Sequence, residues 1–186
     1  MKTIRNNVFE TNSSSMHSFC ISNNEPSITQ FNDLHIKIDA SGEYGWGPVE
    51  VKVNTPEQKL DYAIVAVLTL NVVRLDDEDQ DKNEKNVVRF AKGAKLLEKV
   101  RKYLSDIEST FKCHGVYIEW DEKLFTIDPD TRCYVQIMHD GYIDHQSDPN
   151  NNYESKQIAD WAMNDPESLF NFCFNDSYIT LDNDNH

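Results

Sequence analysis

The stretch Thr55–Val73, TPEQKLDYAIVAVLTLNVV, decides the fold class. Thr55 is a good N-cap, Pro56 suits the first helical position because its missing N–H would be unpaired there anyway, and Gln58 completes a capping box. Beyond the cap, Ala63, Ile64, Val65, Val67, Leu68, Leu70, Val72 and Val73 put apolar side chains on nearly every face of a 3.6-residue period. A helix that is apolar all round is a central, buried one. Its β-branched residues favour strands as well, but the cap sets the direction.

A central buried helix needs layers to cover it, and both flanks supply them. Upstream, Leu34, Ile36 and Ile38 alternate with His35 and Lys37, and Val49, Val51 and Val53 alternate with Glu50 and Lys52. That is the period of half-buried strands. Gly42, Gly45 and Gly47 between them predict a turn, so the two runs are expected to pair as a hairpin. Further upstream, Phe19, Cys20 and Ile21 read as a short strand. Downstream, a second long helix is predicted over 86–111, with Val88, Ala91, Leu97, Val100, Leu104, Ile107 and Phe111 as its apolar stripe. Strands follow at 116–120 and 134–138, then short helices at 154–163 and after Asp165-Pro166, and a last strand at 178–181. The expected fold is α+β in a single domain spanning 1–186: a mostly antiparallel sheet of about five to six strands against two long and two short helices.

Charge narrows the function classes. The chain has 32 acidic and 18 basic residues among 186, a formal charge of -14. A surface of that sign repels phosphate backbones, so direct nucleic-acid binding is not expected. Two uses remain: solubility, or docking onto a basic groove of another protein as a nucleic-acid mimic. The basic residues are concentrated. Lys85, Arg89, Lys92, Lys95, Lys99, Arg101 and Lys102 stand against Glu98 alone, a local charge of +6 that leaves the remainder at about -20. This is either a solvated helix face or a phosphate- or partner-binding patch. The acidic run at 76–84, DDEDQDKNE, reads as an exposed linker. It lacks the glycine and ligand spacing of a calcium loop.

Cys20, Cys113, Cys133 and Cys173 are scattered without a C-x-x-C pair and read as free thiols in a reducing compartment. No apolar run follows Lys2 and Arg5, and no segment approaches the roughly 20 apolar residues of a membrane span. A cytoplasmic protein without membrane contact is expected. Six glycines and no P-loop exclude a Gly-rich phosphate cradle.

Three polar islands interrupt this pattern. The first is RNNVFETNSSSMHS at 5–18, with Arg5 as a phosphate contact and Glu10, Asn12, Ser13, Ser14, Ser15 and His17 as ligand-binding or acid–base groups. A Ser–His pair inside it would be crowded by its short spacing. The second is HDGYIDHQS at 139–147, where Asp144, His145 and Gln146 join the candidates. His139 and Asp140 would complete a metal site only if the hairpin turned all four the same way, and no zinc signature supports that. The third is DNDNH at 182–186, with Asp184. Ser, Asn and His in these islands can equally satisfy loop backbone.

The string VFETNSSSMHS at 8–18 resembles the N-terminal signature F-E-T-N-S-S-S-x-H-S of a family of uncharacterised bacteriophage and low-GC bacterial proteins, and YIDHQS and NDN are similar to its later islands. The resemblance implies a phage or mobile-element origin and a single pocket built from all three islands. It implies no chemistry. The leading expectation is therefore a non-enzymatic acidic inhibitor, a phage-type anti-defence protein that binds a basic surface on a host nucleic-acid-dependent factor. The alternatives are a small hydrolase or transferase acting on a nucleotide or phosphoester, with His17 or His145 as acid–base and Asp144 as orienter, or a nucleotide sponge built from the same residues. No cofactor or metal is specified.

Overall fold

The computed structural model describes residues 2–6, 16–45, 51–75, 84–129 and 133–182. The α+β class holds, with 46% helix and 23% strand. Helix α1 spans Pro56–Leu70, with the Thr55–Gln58 capping box in place. Every residue from Lys59 to Leu68 is buried, as expected of a helix apolar on all faces. Helix α2 spans Glu84–Cys113, α3 Tyr153–Asn164 and α4 Pro166–Phe174. Asn152 caps α3 and Asp165 caps α4, each accepting a backbone N–H three residues on. On α2 the buried stripe is Leu96, Val100, Leu104, Ile107 and Phe111, while Ala91 faces solvent. The α1 helix packs on α3, α4 and the strands beside them.

The sheet arrangement departs from the expected one. Strands β1 (Lys2–Asn6), β2 (Met16–Ser22), β5 (Val51–Val53) and β10 (Tyr178–Asp182) form an antiparallel sheet in the order β1-β2-β10-β5. The other strands form pairs: β3 (Leu34–Ile38) with β7 (Val116–Trp120), β4 (Glu43–Tyr44) with β9 (Tyr142–Ile143), and β6 (Val73–Arg74) with β8 (Tyr134–Val135). The first two pairs are parallel. So the 34–38 run does not pair with the 49–53 run, and the described strands do not make one sheet of five to six. Alternation tells which face of a strand is buried but not which strand lies beside it.

The partner of β3 is chosen at the far end of α2. Gly115, at φ +76°, turns the chain out of that helix. Its carbonyl accepts the Leu34 N–H at 3.0 Å, and the His114 carbonyl accepts the Phe31 N–H at 2.8 Å. A Cβ at Gly115 would stand 2.0 Å from the Phe31 carbonyl oxygen, so this approach requires glycine.

Lys59 is the unexpected member of the core. It lies in the first turn of α1, where a cation opposes the helix dipole, and it is 1% exposed. Its ammonium donates to the carbonyls of Phe172, Cys173 and Asn175 at 3.1, 3.3 and 2.9 Å. These lie at the C-terminal end of α4, a helix with no basic residue in its own last turn. Lys59 thus supplies from another element the cation that those unpaired carbonyls favour. Two cysteines, Cys20 and Cys173, are buried. Cys113 and Cys133 are exposed, and all four are free thiols. Among the described residues no helix is long and apolar enough to cross a membrane.

Candidate functional site

Register places the site at one end of the four-stranded sheet. In β2, Ser18 pairs with Asn6 of β1 and Thr180 of β10, while His17 lies opposite Leu181. Leu181 in turn pairs with Val51, where β5 begins. Strand alternation sends His17 and Phe19 into the interior. The second island arrives beside His17 through the β4–β9 pair. Tyr44 is in register with Ile143, and the Asp144 N–H donates to the Tyr44 carbonyl at 2.8 Å. Gly45 follows at φ +106°, a conformation that side chains resist. A Cβ there would lie 2.6 Å from Asp144 Cβ and 3.0 Å from His17 Cε1. The bare backbone is what lets the two islands meet.

Four polar side chains then line up. Ser147 Oγ lies 2.6 Å from His17 Nδ1, and both residues are buried. His17 Nε2 lies 4.0 Å from Asp144 Oδ2. The other carboxylate oxygen, Asp144 Oδ1, accepts the His145 backbone N–H at 2.7 Å and lies 2.6 Å from His145 Nδ1. Asp144 is buried, whereas the His145 side chain is 63% exposed. One buried carboxylate is therefore hydrogen-bonded to a solvent-facing histidine and stands 4.0 Å from an interior one. The Ser147 N–H closes the turn onto the Asp144 carbonyl at 2.8 Å, and Asn152 Nδ2 donates to the Gln146 carbonyl at 3.2 Å, which ties the turn to the cap of α3. Beneath it, the Tyr62 hydroxyl of α1 shares a 2.9 Å hydrogen bond with Ser155 and donates to the Ser147 carbonyl at 3.4 Å. Burial raises the Tyr62 pKa well above the ordinary phenol range, so this support stays neutral.

The surroundings are anionic. Tyr142 is about half exposed, and its hydroxyl pKa is raised by partial burial and then by the Asp144 and Asp148 carboxylates. The arrangement suits proton transfer at His145, because a ring whose Nδ1 faces a carboxylate presents Nε2 to whatever approaches from solvent. Ser147 is fully buried and so orients His17 rather than attacking a substrate. With Nδ1 facing Asp144, neutral His145 is expected as the Nδ1–H tautomer. Long-range imidazole ¹H–¹⁵N NMR reads this directly, and an Nε2–H tautomer would break the link to Asp144.

His17, Asp144, His145 and Gln146 therefore share one neighbourhood, although the first is 127 residues or more from the others in the chain. Arg5 stands opposite Phe19 in the β1–β2 ladder. Glu10, Asn12, Ser13, Ser14, Ser15 and Asp184 lie outside the described residues, as does 76–83 of the acidic run. His139 and Asp140 do not join the site. Asp140 pairs with Lys123 at 2.7 Å, and burial lowers the pKa of His139. Among the described residues no group of three or more His, Cys, Asp or Glu is arranged to hold a metal ion. Sequence reasoning passed over Gly45, Tyr62, Ser147 and Ser155 as site residues. Ser147 closes the island that was singled out and Gly45 sits in a recognised turn, but Tyr62 is hidden in an apolar helix with no local signal. No family model, curated protein or solved structure matches this chain.

Proposed function

We propose that this chain is a small acid–base enzyme, a hydrolase or transferase, in which His145 moves the proton and Asp144 orients it. His17, fixed by Ser147, stands behind the Asp144 carboxylate. The observation that carries this reading is the buried Asp144 carboxylate 2.6 Å from the exposed His145 ring, with the buried His17 ring 4.0 Å behind it. Burying a carboxylate is costly without partners, and Asp144 takes both the backbone N–H and the ring of His145. The substrate class, a nucleotide or other phosphoester, rests on the Ser- and Asn-rich first island, and Tyr142 offers a flat ring near His145. Because the described surroundings are anionic, the test pairs each phosphoester with and without magnesium or manganese. Turnover of p-nitrophenyl phosphate, its diester or a nucleoside triphosphate is expected, and His145→Ala should reduce it about a hundredfold or more. If the unaltered protein turned over none of these, or His145→Ala kept full turnover, the reading would fail.

Charge distribution favours a second reading, the acidic inhibitor of a host nucleic-acid-dependent factor. Several cations are already engaged within the chain: Lys59 on buried carbonyls, and on the surface Lys102 on Asp106 at 2.6 Å and Lys123 on Asp140. Exposed carboxylates such as Glu25, Glu43, Glu57 and Glu108 remain for a basic partner. Capture of such a partner should weaken by an order of magnitude or more between about 50 and 500 mM salt, because surface charge is screened over roughly a Debye length. Salt-insensitive capture would remove charge mimicry as the mode.

A further inference from the structure

We infer that Asp61 of α1 is a positioning residue for the His145 site: its buried carboxylate holds the turn at 42–44, and that turn holds Asp144. The inference rests on the reading of His145 as the proton-transfer group, and it names the residue that sets the geometry behind it.

Asp61 is a buried acid in a helix that is otherwise almost wholly apolar beyond its first turn. A buried carboxylate is costly unless it is hydrogen-bonded. Its side chain reaches off the helix: one oxygen, Oδ2, accepts both the Gly42 N–H at 3.1 Å and the Tyr44 hydroxyl at 2.8 Å. Burial raises the Asp61 pKa, and the Tyr44 and Gly42 hydrogen bonds oppose the rise. Gly42 and Tyr44 are also the residues that receive the second polar island. The Gly42 carbonyl accepts the Tyr142 N–H at 3.0 Å, and the Tyr44 carbonyl accepts the Asp144 N–H at 2.8 Å. Asp144 is therefore two hydrogen bonds from Asp61, through the single residue Tyr44.

The next residue of α1 grips the other end of the same loop. Tyr62 donates to the Ser147 carbonyl, and its ring packs edge-on against Tyr44 with centroids 4.9 Å apart. Adjacent side chains of one buried helix thus hold both sides of the 144–147 turn, and a site carried on a rigid element keeps its geometry better than one on a loop alone. The contact they protect is the 2.6 Å approach of Asp144 Oδ1 to His145 Nδ1, which a small displacement breaks. Loss of the carboxylate acts locally. The Tyr44 hydroxyl has one proton and a second acceptor in reach, the Gln58 carbonyl at 3.2 Å. Without Asp61 the hydroxyl turns to Gln58 and the Gly42 N–H loses its acceptor. The Tyr44 ring stays packed on Tyr62 while the turn loses its anchor.

The test reads the intact ¹⁵N-labelled protein by NMR without substrate, then measures kcat on p-nitrophenyl phosphate, its diester and a nucleoside triphosphate. In Asp61→Ala the Asp144 amide is expected to exchange with solvent about tenfold faster or more, while the amide of Leu104 in α2 keeps its rate to within about twofold, the pattern of local opening. The His145 ring should lose its uniform Nδ1–H form, and kcat should fall about tenfold or more with KM little changed. Tyr44→Phe keeps the ring and removes one hydrogen bond, so it folds whatever Asp61→Ala does, and it should speed Asp144 exchange about threefold or more. Equal acceleration at Asp144 and Leu104 would make Asp61 a residue of general stability and overturn the inference. So would an unchanged Asp144 amide and His145 ring in Tyr44→Phe and in any folded Asp61→Ala, or an unchanged kcat in an active variant whose spectrum moves. A protein that turns over none of the substrates but shows the spectral changes loses the enzymatic reading alone, and Asp61 still positions the Asp144–His145 pair.

Discussion

His145→Ala is expected to reduce turnover by about a hundred- to ten-thousand-fold, the usual contribution of a positioned proton-transfer group. That corresponds to roughly 3–5.5 kcal/mol of transition-state stabilisation. The loss should appear in kcat more than in KM, because the imidazole acts on a proton in flight rather than on the resting substrate. The fold should persist with a stability loss of about 1–3 kcal/mol, because the buried Asp144 carboxylate loses the His145 ring as a partner. Asp144→Asn separates orientation from bulk. An amide fills the same space but carries no charge, and its nitrogen can face His145 Nδ1 and impose the other tautomer. Activity should fall in parallel with a change of tautomer in the NMR spectrum. A variant that lost activity while His145 kept its Nδ1–H form would mean that Asp144 acts by some route other than orientation.

Lys59→Ala is expected to destabilise the protein by about 3–5 kcal/mol, at the upper end of what single substitutions cost. Three carbonyls at the end of α4 would lose their donor at once, and each unsatisfied buried group costs roughly 1–3 kcal/mol. Lys59→Met keeps the aliphatic stem and should recover only the packing part, so a methionine variant as stable as the parent would show that the hydrogen bonds contribute nothing. Linkage provides a second measurement. Burial lowers the Lys59 pKa, so between that lowered value and the ordinary lysine value the unfolded chain binds more protons than the native one. The Lys59 contribution to stability therefore rises with pH across this alkaline window. That slope should vanish from denaturant titrations of Lys59→Met.

Legibility followed the range of the forces involved. The α1 cap was readable because Thr55, Pro56 and Gln58 act within one turn. The inward rows of β3 and β7 were readable because alternation is local. Their mutual pairing was not, because it is set by Gly115 and the carbonyls around Phe31, brought together only after α2 has crossed the molecule. Lys59 shows the same limit. Seen in its own helix it is a polar residue of the first turn, and nothing near it in the chain announces the α4 carbonyls more than 110 residues away.

The site divides along the same line. By itself the sequence determined the four helices, the strand segments near 19–21, 34–38, 51–53, 116–120, 134–135 and 178–181 but not β1, β4, β6 or β9, the buried character of α1, the excess of negative charge and the residue types His17, Asp144 and His145 as polar intruders among apolar segments. Only the tertiary structure decided that His17 faces Ser147 and Asp144, that Asp144 is buried while His145 is open, and that Lys99 of α2 reaches Asn71 at the end of α1. Burial and partner identity are properties of the assembled interior. A carboxylate comes to stand between two histidines, 2.6 Å from one and 4.0 Å from the other, only when a glycine turn, a sheet register and a helix-supported loop bring them together.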